Sequence, residues 1–148
     1  MPAIITCLIA KRLGDPQRST PRETYALRDL AVSLLKRVLD RYSPSYYTMK
    51  PRTARALLQA FLDNNKPFTT HYGAVAGLRV MGREVVRSLV IPNLRLYGEV
   101  VLAPALGDEG DISVREDAER VLDAIMVFLR LSVLNRPQLP PSLPLVVV

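Results

Sequence analysis

Much of the chemistry that marks an enzyme or a secreted scaffold is scarce in this chain. Its 148 residues include one cysteine, one histidine and no tryptophan. With Cys7 alone, no intrachain disulfide can form, and a reducing compartment fits. A single histidine beside a single cysteine leaves no Cys–His or His–His spacing of the kind zinc sites use. No stretch reaches the ~20 consecutive apolar residues that span a bilayer. In the opening MPAIITCLIAKRLG the basic residues follow the apolar run, the reverse of a secretion signal. These absences predict a soluble intracellular protein with no membrane partner. Glycine (7) and proline (12) are too few for a low-complexity chain.

What is present is an ordinary globular balance, 49% hydrophobic and 23% charged, at a length suited to one domain. The net charge of +6 is unevenly spread. Residues 1–95 hold 16 basic and 6 acidic residues, a net +10, whereas residues 96–148 hold 4 and 8, a net −4. The basic part suits an acidic partner, nucleic acid or protein. Arginine makes up 16 of the 20 basic residues, and a GC-rich genome would give the same bias.

Periodicity predicts helices throughout. Pro2–Leu13 opens the chain. Thr20-Pro21-Arg22-Glu23 is a capping box ahead of a long helix with the stripe Leu27, Leu30, Ala31, Leu34, Leu35, Val38, Leu39 and Tyr42. Arg28 and Asp29 sit beside that stripe as a link between structural units. A third helix, Lys50–Asn64, turns Ala54, Leu57, Leu58, Phe61 and Leu62 inward.

The most distinctive stretch is KPFTTHYGAVAGLRVMGREVVRSLVIPNLRL, Lys66–Leu96. Thr69 or Thr70 is expected to cap a helix to about Met81, with Gly82 as its stop. Gly73, Ala74 and Gly77 form a small-residue face that admits a neighbouring backbone. The next helix runs to about Ala103, with Pro92 kinking or restarting it. Residues 106–112 read as a solvated acidic loop. Ser113-Val114-Arg115-Glu116 reads as a second capping box, and the last helix is expected to reach Leu134. The tail, residues 137–148, is proline-rich and extended.

Aligned on itself, the chain places Tyr25 and Tyr72 47 residues apart, and Ala118 46 residues after Tyr72. Such spacing matches helical repeats of ~40–47 residues. It predicts an all-α solenoid of stacked antiparallel helix pairs, about 25–64 and 69–103, with a closed six-helix bundle as the rival. An orphan helix stands at each end.

Several stretches resemble the C-terminal HEAT-repeat domain of TBP-associated factor subunit six of the general transcription factor TFIID. They are PAIITCL from Pro2, YALRD from Tyr25, KPFTTHYGA from Lys66, AGL from Ala76 and VIPNL from Val90. The likeness runs in order over residues 2–102. It implies a non-catalytic assembly subunit in RNA polymerase II transcription initiation, located in the nucleus. The implied partners are other subunits of TFIID or of a SAGA-type coactivator, whose related subunit shares the domain. On this reading residues 1–136 are a fragment of about three repeats that lacks the first helix of the first.

No catalytic, metal or cofactor residues are expected, nor a small-molecule substrate. No nucleophile or metal ligand is marked beside His71. GAVAGLRVMG lacks the strand and spacing of a dinucleotide fingerprint, and the acids of 108–111 lack an EF-hand pattern. The repeat motif is assigned to Arg28, Asp29, Thr70, His71, Tyr72, Gly73, Gly77, Gly82 and Pro92, with His71 bonding across a repeat junction. Arg79, Arg83, Arg87 and Arg95 are the candidate contacts to a protein partner or, alternatively, to promoter DNA.

Overall fold

In the computed structural model, residues 1–15, 17–107 and 110–134 are described, with side chains as far as Arg130. Six helices follow one another: α1 (Pro2–Ile9), α2 (Pro21–Tyr42), α3 (Met49–Leu62), α4 (Phe68–Arg79), α5 (Arg83–Leu106) and α6 (Ile112–Leu134). The described residues contain no strand. The tail 137–148, Asp108 and Glu109 of the acidic loop, and the Leu131 and Val133 side chains lie outside them.

Local chemistry explains most helix ends. At α2 the capping box closes in both directions: the Glu23 N–H donates to Thr20 Oγ1 at 3.3 Å and the Thr20 N–H to Glu23 Oε2 at 2.9 Å. At α6 the cap is Asp111 rather than Ser113. Its Oδ1 accepts the Ser113 N–H at 2.9 Å, and the helix starts one residue before that serine. α1 stops at Ile9 instead of Leu13, because side chains from two other helices occupy its last carbonyls. α4 begins at Phe68 behind an extended Pro67, so neither threonine caps it. Gly82, at φ 108°, supplies the left-handed turn into α5.

α5 accommodates its prolines by widening. Residues 86–90 and 98–102 are π-turns, and each is followed two residues later by a proline, Pro92 and Pro104. The Ile91 N–H reaches back five residues to Val86 O, and Asn93 Nδ2 donates to Leu89 O at 2.7 Å. The wider turn and the Asn93 side chain thus hold the carbonyls on either side of the gap left by the missing Pro92 N–H. The helix does not restart at Pro92; it continues through it. At 24 residues, α5 is also long and apolar enough on average to cross a membrane, although no uninterrupted apolar run is. Its buried Val86, Val90, Tyr97 and Leu102 face the protein core.

α4 is the hub. It touches every other helix, and Thr70, His71 and Gly73–Leu78 are all buried. On one side Leu8, Leu35, Leu57, Leu78, Val90 and Phe128 form a core. On the other, Phe61, Val75, Tyr97, Val121 and Ile125 form a second, with the Phe61 and Tyr97 rings stacked at 4.3 Å. The most extensive helix–helix contacts are α3–α4, α4–α6 and α1–α2. The pairing of 25–64 expected from the sequence is therefore altered: α2 and α3 share a side-chain core without packing closely.

The α2 stripe is also rotated from its expected position. Ala31, Leu35 and Leu39 point inward, joined by Tyr25, Arg28 and Val32, while Leu27, Leu30 and Leu34 are 40%, 56% and 40% exposed. Only α1 and α4 pack closely on α2, and they cover one side of it.

Candidate functional site

Two of the polar residues buried inside the domain, Arg28 and Thr70, converge on the end of α1. An eight-residue helix leaves its last carbonyls without intrahelical donors. Arg28, 1% exposed, reaches them from α2: Nη1 donates to Leu8 O and, at 3.5 Å, to Cys7 O, and Nη2 donates to Ala10 O at 2.7 Å. Thr70 reaches the same end from α4, its hydroxyl placed at 3.1 Å from Ile9 O and 3.2 Å from Ala10 O. Here the α1 carbonyls do for the guanidinium what a carboxylate partner usually does. A buried cation is balanced by the negative end of a helix. Burial lowers its pKa, but arginine stays charged. Its Nε has no partner among the described residues. Cys7 itself is half-buried.

This geometry requires Gly73. A Cβ there would overlap the Leu8 carbonyl oxygen and stand 2.8 Å from its carbon. α4 thus lies with its backbone against the end of α1. At Gly77 a Cβ would meet side-chain tips instead, Leu57 Cδ1 at 2.8 Å and Leu8 Cδ1 at 3.4 Å.

Neighbouring residues of the two motifs send their side chains to different helices. Next to Arg28, Asp29 accepts from the Tyr72 hydroxyl at 2.7 Å. Burial, reinforced by Asp29, pushes the Tyr72 pKa up to about 12. Tyr25 and Tyr72 meet edge to face at 4.9 Å. The Tyr25 hydroxyl donates to Asp117 Oδ1 at 2.6 Å, and Arg120 lies 4.4 Å over its ring while bonding the same carboxylate at 3.3 Å. Burial and then Asp117 raise the Tyr25 pKa.

His71, 1% exposed, bridges two further helices. Nε2 lies 2.9 Å from the Asp63 carbonyl, which can only accept, so the proton sits on Nε2. Nδ1 then accepts from the Tyr97 hydroxyl at 2.9 Å. Both ring nitrogens are engaged, which leaves neither for a reaction. Burial lowers the pKa of His71, opposed by its bond to Asp63 O. The neutral ring is the folded form. Below an ordinary value near 6.5 the unfolded chain binds a proton that the folded chain resists, so stability is full above that value and falls as pH drops through it. We expect a lower urea midpoint at pH 5 than at pH 7.5, and a His71→Gln variant in which that difference shrinks. An equal pH difference in both proteins would assign it to other groups.

The four arginines do not form one ridge. Arg79 ends α4, and the Gly82 turn separates it from Arg83. Arg83 and Arg87 are exposed on α5, with the first π-turn starting between them. Arg95 is paired with Glu99 at 3.2 Å on the surface. Among the described residues no cluster of three or more His, Cys, Asp or Glu could hold a metal ion. The junction also includes Tyr25, Asp117, Arg120 and Tyr97, which pattern reading did not single out as site residues. The one available signal was the 47-residue spacing of Tyr25 and Tyr72, residues that turn out to touch.

A stack of helices whose junctions are pinned by polar bonds, and whose buried titratable groups are spent on those bonds, is a helical-repeat domain. The chain belongs to the TAF6 C-terminal HEAT repeat domain family, whose model matches residues 1–95. It is 47% identical over 146 residues to the Schizosaccharomyces pombe SAGA complex/transcription factor TFIID complex subunit Taf6, covering 96% of this chain and 31% of that protein. It is 40% identical over 132 residues to the Arabidopsis thaliana transcription initiation factor TFIID subunit 6b, covering 86% of this chain and 24% of that protein. The chain thus spans a quarter to a third of the length of these relatives. In structure it resembles the TAF6 C-terminal domain from Antonospora locustae, with a TM-score of 0.59 at 24% identity, over 82% of this chain and 54% of that one. That likeness supports the all-α repeat fold.

Proposed function

We propose that this chain is a non-catalytic scaffold domain of a TFIID or SAGA-type subunit, acting in the nucleus to hold other subunits during assembly of the RNA polymerase II initiation complex. The observation that carries this is the 47% identity, spread over nearly the whole chain, to a protein whose name includes both complexes. The internal chemistry agrees with it. Arg28, His71, Tyr25, Tyr72 and Tyr97 are committed to helix–helix bonds, so what the fold offers a partner is its outer faces. Promoter DNA is the weaker reading, since Arg95 is neutralised by Glu99 and Gly82 splits the other three arginines between two helices.

The test is co-purification of the tagged chain from nuclear extract, probed for TFIID and SAGA subunits. Recovery of those subunits is the expected result. Their absence with the folded domain in hand would overturn the reading. Filter binding of duplex DNA at two salt concentrations separates the DNA alternative, which requires steep loss of binding at the higher salt.

A further inference from the structure

Helices α3 and α5 touch where the Phe61 and Tyr97 rings stack, but their backbones do not pack closely, and an open groove of about 900 Å³ lies between them. Its floor is apolar: Ala54 and Leu58 from α3, Val85 and Leu89 from α5. Lys50, Arg52 and Arg55 line it as well, all exposed. None of the three is in an ion pair among the described residues, and no carboxylate lines the groove. Tyr47, 86% exposed, stands at its mouth. The α5 wall coincides with the first π-turn, 86–90, a backbone irregularity of the type found often at functional sites. An apolar floor with unneutralised cations on one wall has a clear complement.

We propose that the α3–α5 groove docks an acidic amphipathic helix from a partner protein, its apolar face on Leu58, Val85 and Leu89 and its carboxylates against Lys50, Arg52 and Arg55. The inference rests on the scaffold reading and specifies the chemistry of one partner. A helix laid in a groove uses apolar anchors at three- and four-residue spacing. From Lys50 to Leu58 the wall is about 12 Å long, or roughly two helical turns. A nucleic acid would use the cations but gain nothing from the floor.

The test titrates the full chain with a short Leu/Glu peptide carrying leucines at helical spacing, read by fluorescence anisotropy. A Leu/Lys peptide of the same pattern and a DNA duplex serve as comparators. We expect the Leu/Glu peptide to bind at low salt and the Leu/Lys peptide not to. Arg52→Glu/Arg55→Glu should weaken binding about tenfold, and Tyr47→Ser should weaken it severalfold. All three positions are exposed, so circular dichroism should report an unchanged fold. Undiminished binding by the charge-reversed chain, equal binding of the Leu/Lys peptide, displacement by duplex, or no binding at low salt would each overturn the proposal. The co-purification keeps the two readings apart. Subunits recovered equally by wild-type and charge-reversed chains would sink the groove alone, and none recovered by wild type would sink the scaffold reading.

Discussion

Gly73→Ala should destabilise this domain more than any other single methyl group added to a glycine of α4 or α5. The new Cβ would overlap the Leu8 carbonyl oxygen, and a backbone atom cannot rotate aside. Overpacking alone costs about 1–3 kcal/mol. Here α1 must retreat, and with it the carbonyls that Arg28 and Thr70 occupy. Hydrogen bonds to a charged group contribute about 1.5–3 kcal/mol each. The combined loss should approach about 5 kcal/mol, enough to lower Tm by about 10 °C or more. Two neighbours grade the effect. At Gly77 the added atom meets Leu57 Cδ1 at 2.8 Å, a side-chain tip that can turn, so Gly77→Ala should cost far less. At Gly98 it meets nothing within 4 Å, and Gly98→Ala should stabilise α5 by up to about 1 kcal/mol. Thermal melts of the three variants decide the matter. A Gly73→Ala protein melting within about 2 °C of wild type would mean that α1 is not seated against α4.

That gradient also shows how far pattern reading goes. Helix existence was legible because the apolar periods are strong, and the Thr20 box could be placed to the residue because its partners are local. The small-residue face of α4 was legible as well, but not that Gly73 is stricter than Gly77. The difference lies in what stands opposite, a carbonyl or a methyl, 65 and 20 residues away in the chain. Thr70 was misassigned for a related reason. A threonine near a helix start reads as a cap, and only the tertiary structure reveals that its hydroxyl serves α1. The α2 stripe misled by being too wide. Periodicity marks apolar faces without saying which of two a neighbour will cover, so Leu27, Leu30 and Leu34 read as core. Neither π-turn was legible: Pro92 read as a kink or a restart, and Pro104 lies near the end of α5, where a proline suggests only termination. The junction of Tyr25, Asp117 and Arg120 joins α2 to α6 across 92 residues, a separation no local pattern encodes.

Arg28→Met should be the second large effect, and its sign has to be argued because two terms oppose. Removing the guanidinium relieves the penalty of burying a charge, already visible in its lowered pKa and its unpartnered Nε. Replacing buried ion pairs with apolar side chains is often neutral or stabilising. That holds when both partners are replaced. Here the partners are backbone carbonyls of Cys7, Leu8 and Ala10, which stay behind. The single Thr70 hydroxyl proton is still shared between Ile9 O and Ala10 O, but Leu8 O is fully orphaned and Cys7 O loses a long contact. Each buried unsatisfied acceptor costs about 1–3 kcal/mol, and the favourable alignment of a cation with the α1 dipole is lost as well. The net should be a loss of about 3 kcal/mol, measured as a shift in the urea midpoint at constant m-value. Arg28→Lys separates charge from geometry. One ammonium keeps the burial penalty yet lacks the planar fork that reaches Leu8 O and Ala10 O together, so lysine should do no better than methionine. If lysine restored wild-type stability, charge alone would suffice and the fork would be incidental. A cycle with Thr70→Val should show coupling, because the two side chains share Ala10 O. Hydrogen exchange should place the damage in α1, whose amides lose protection before those of α3 and α6.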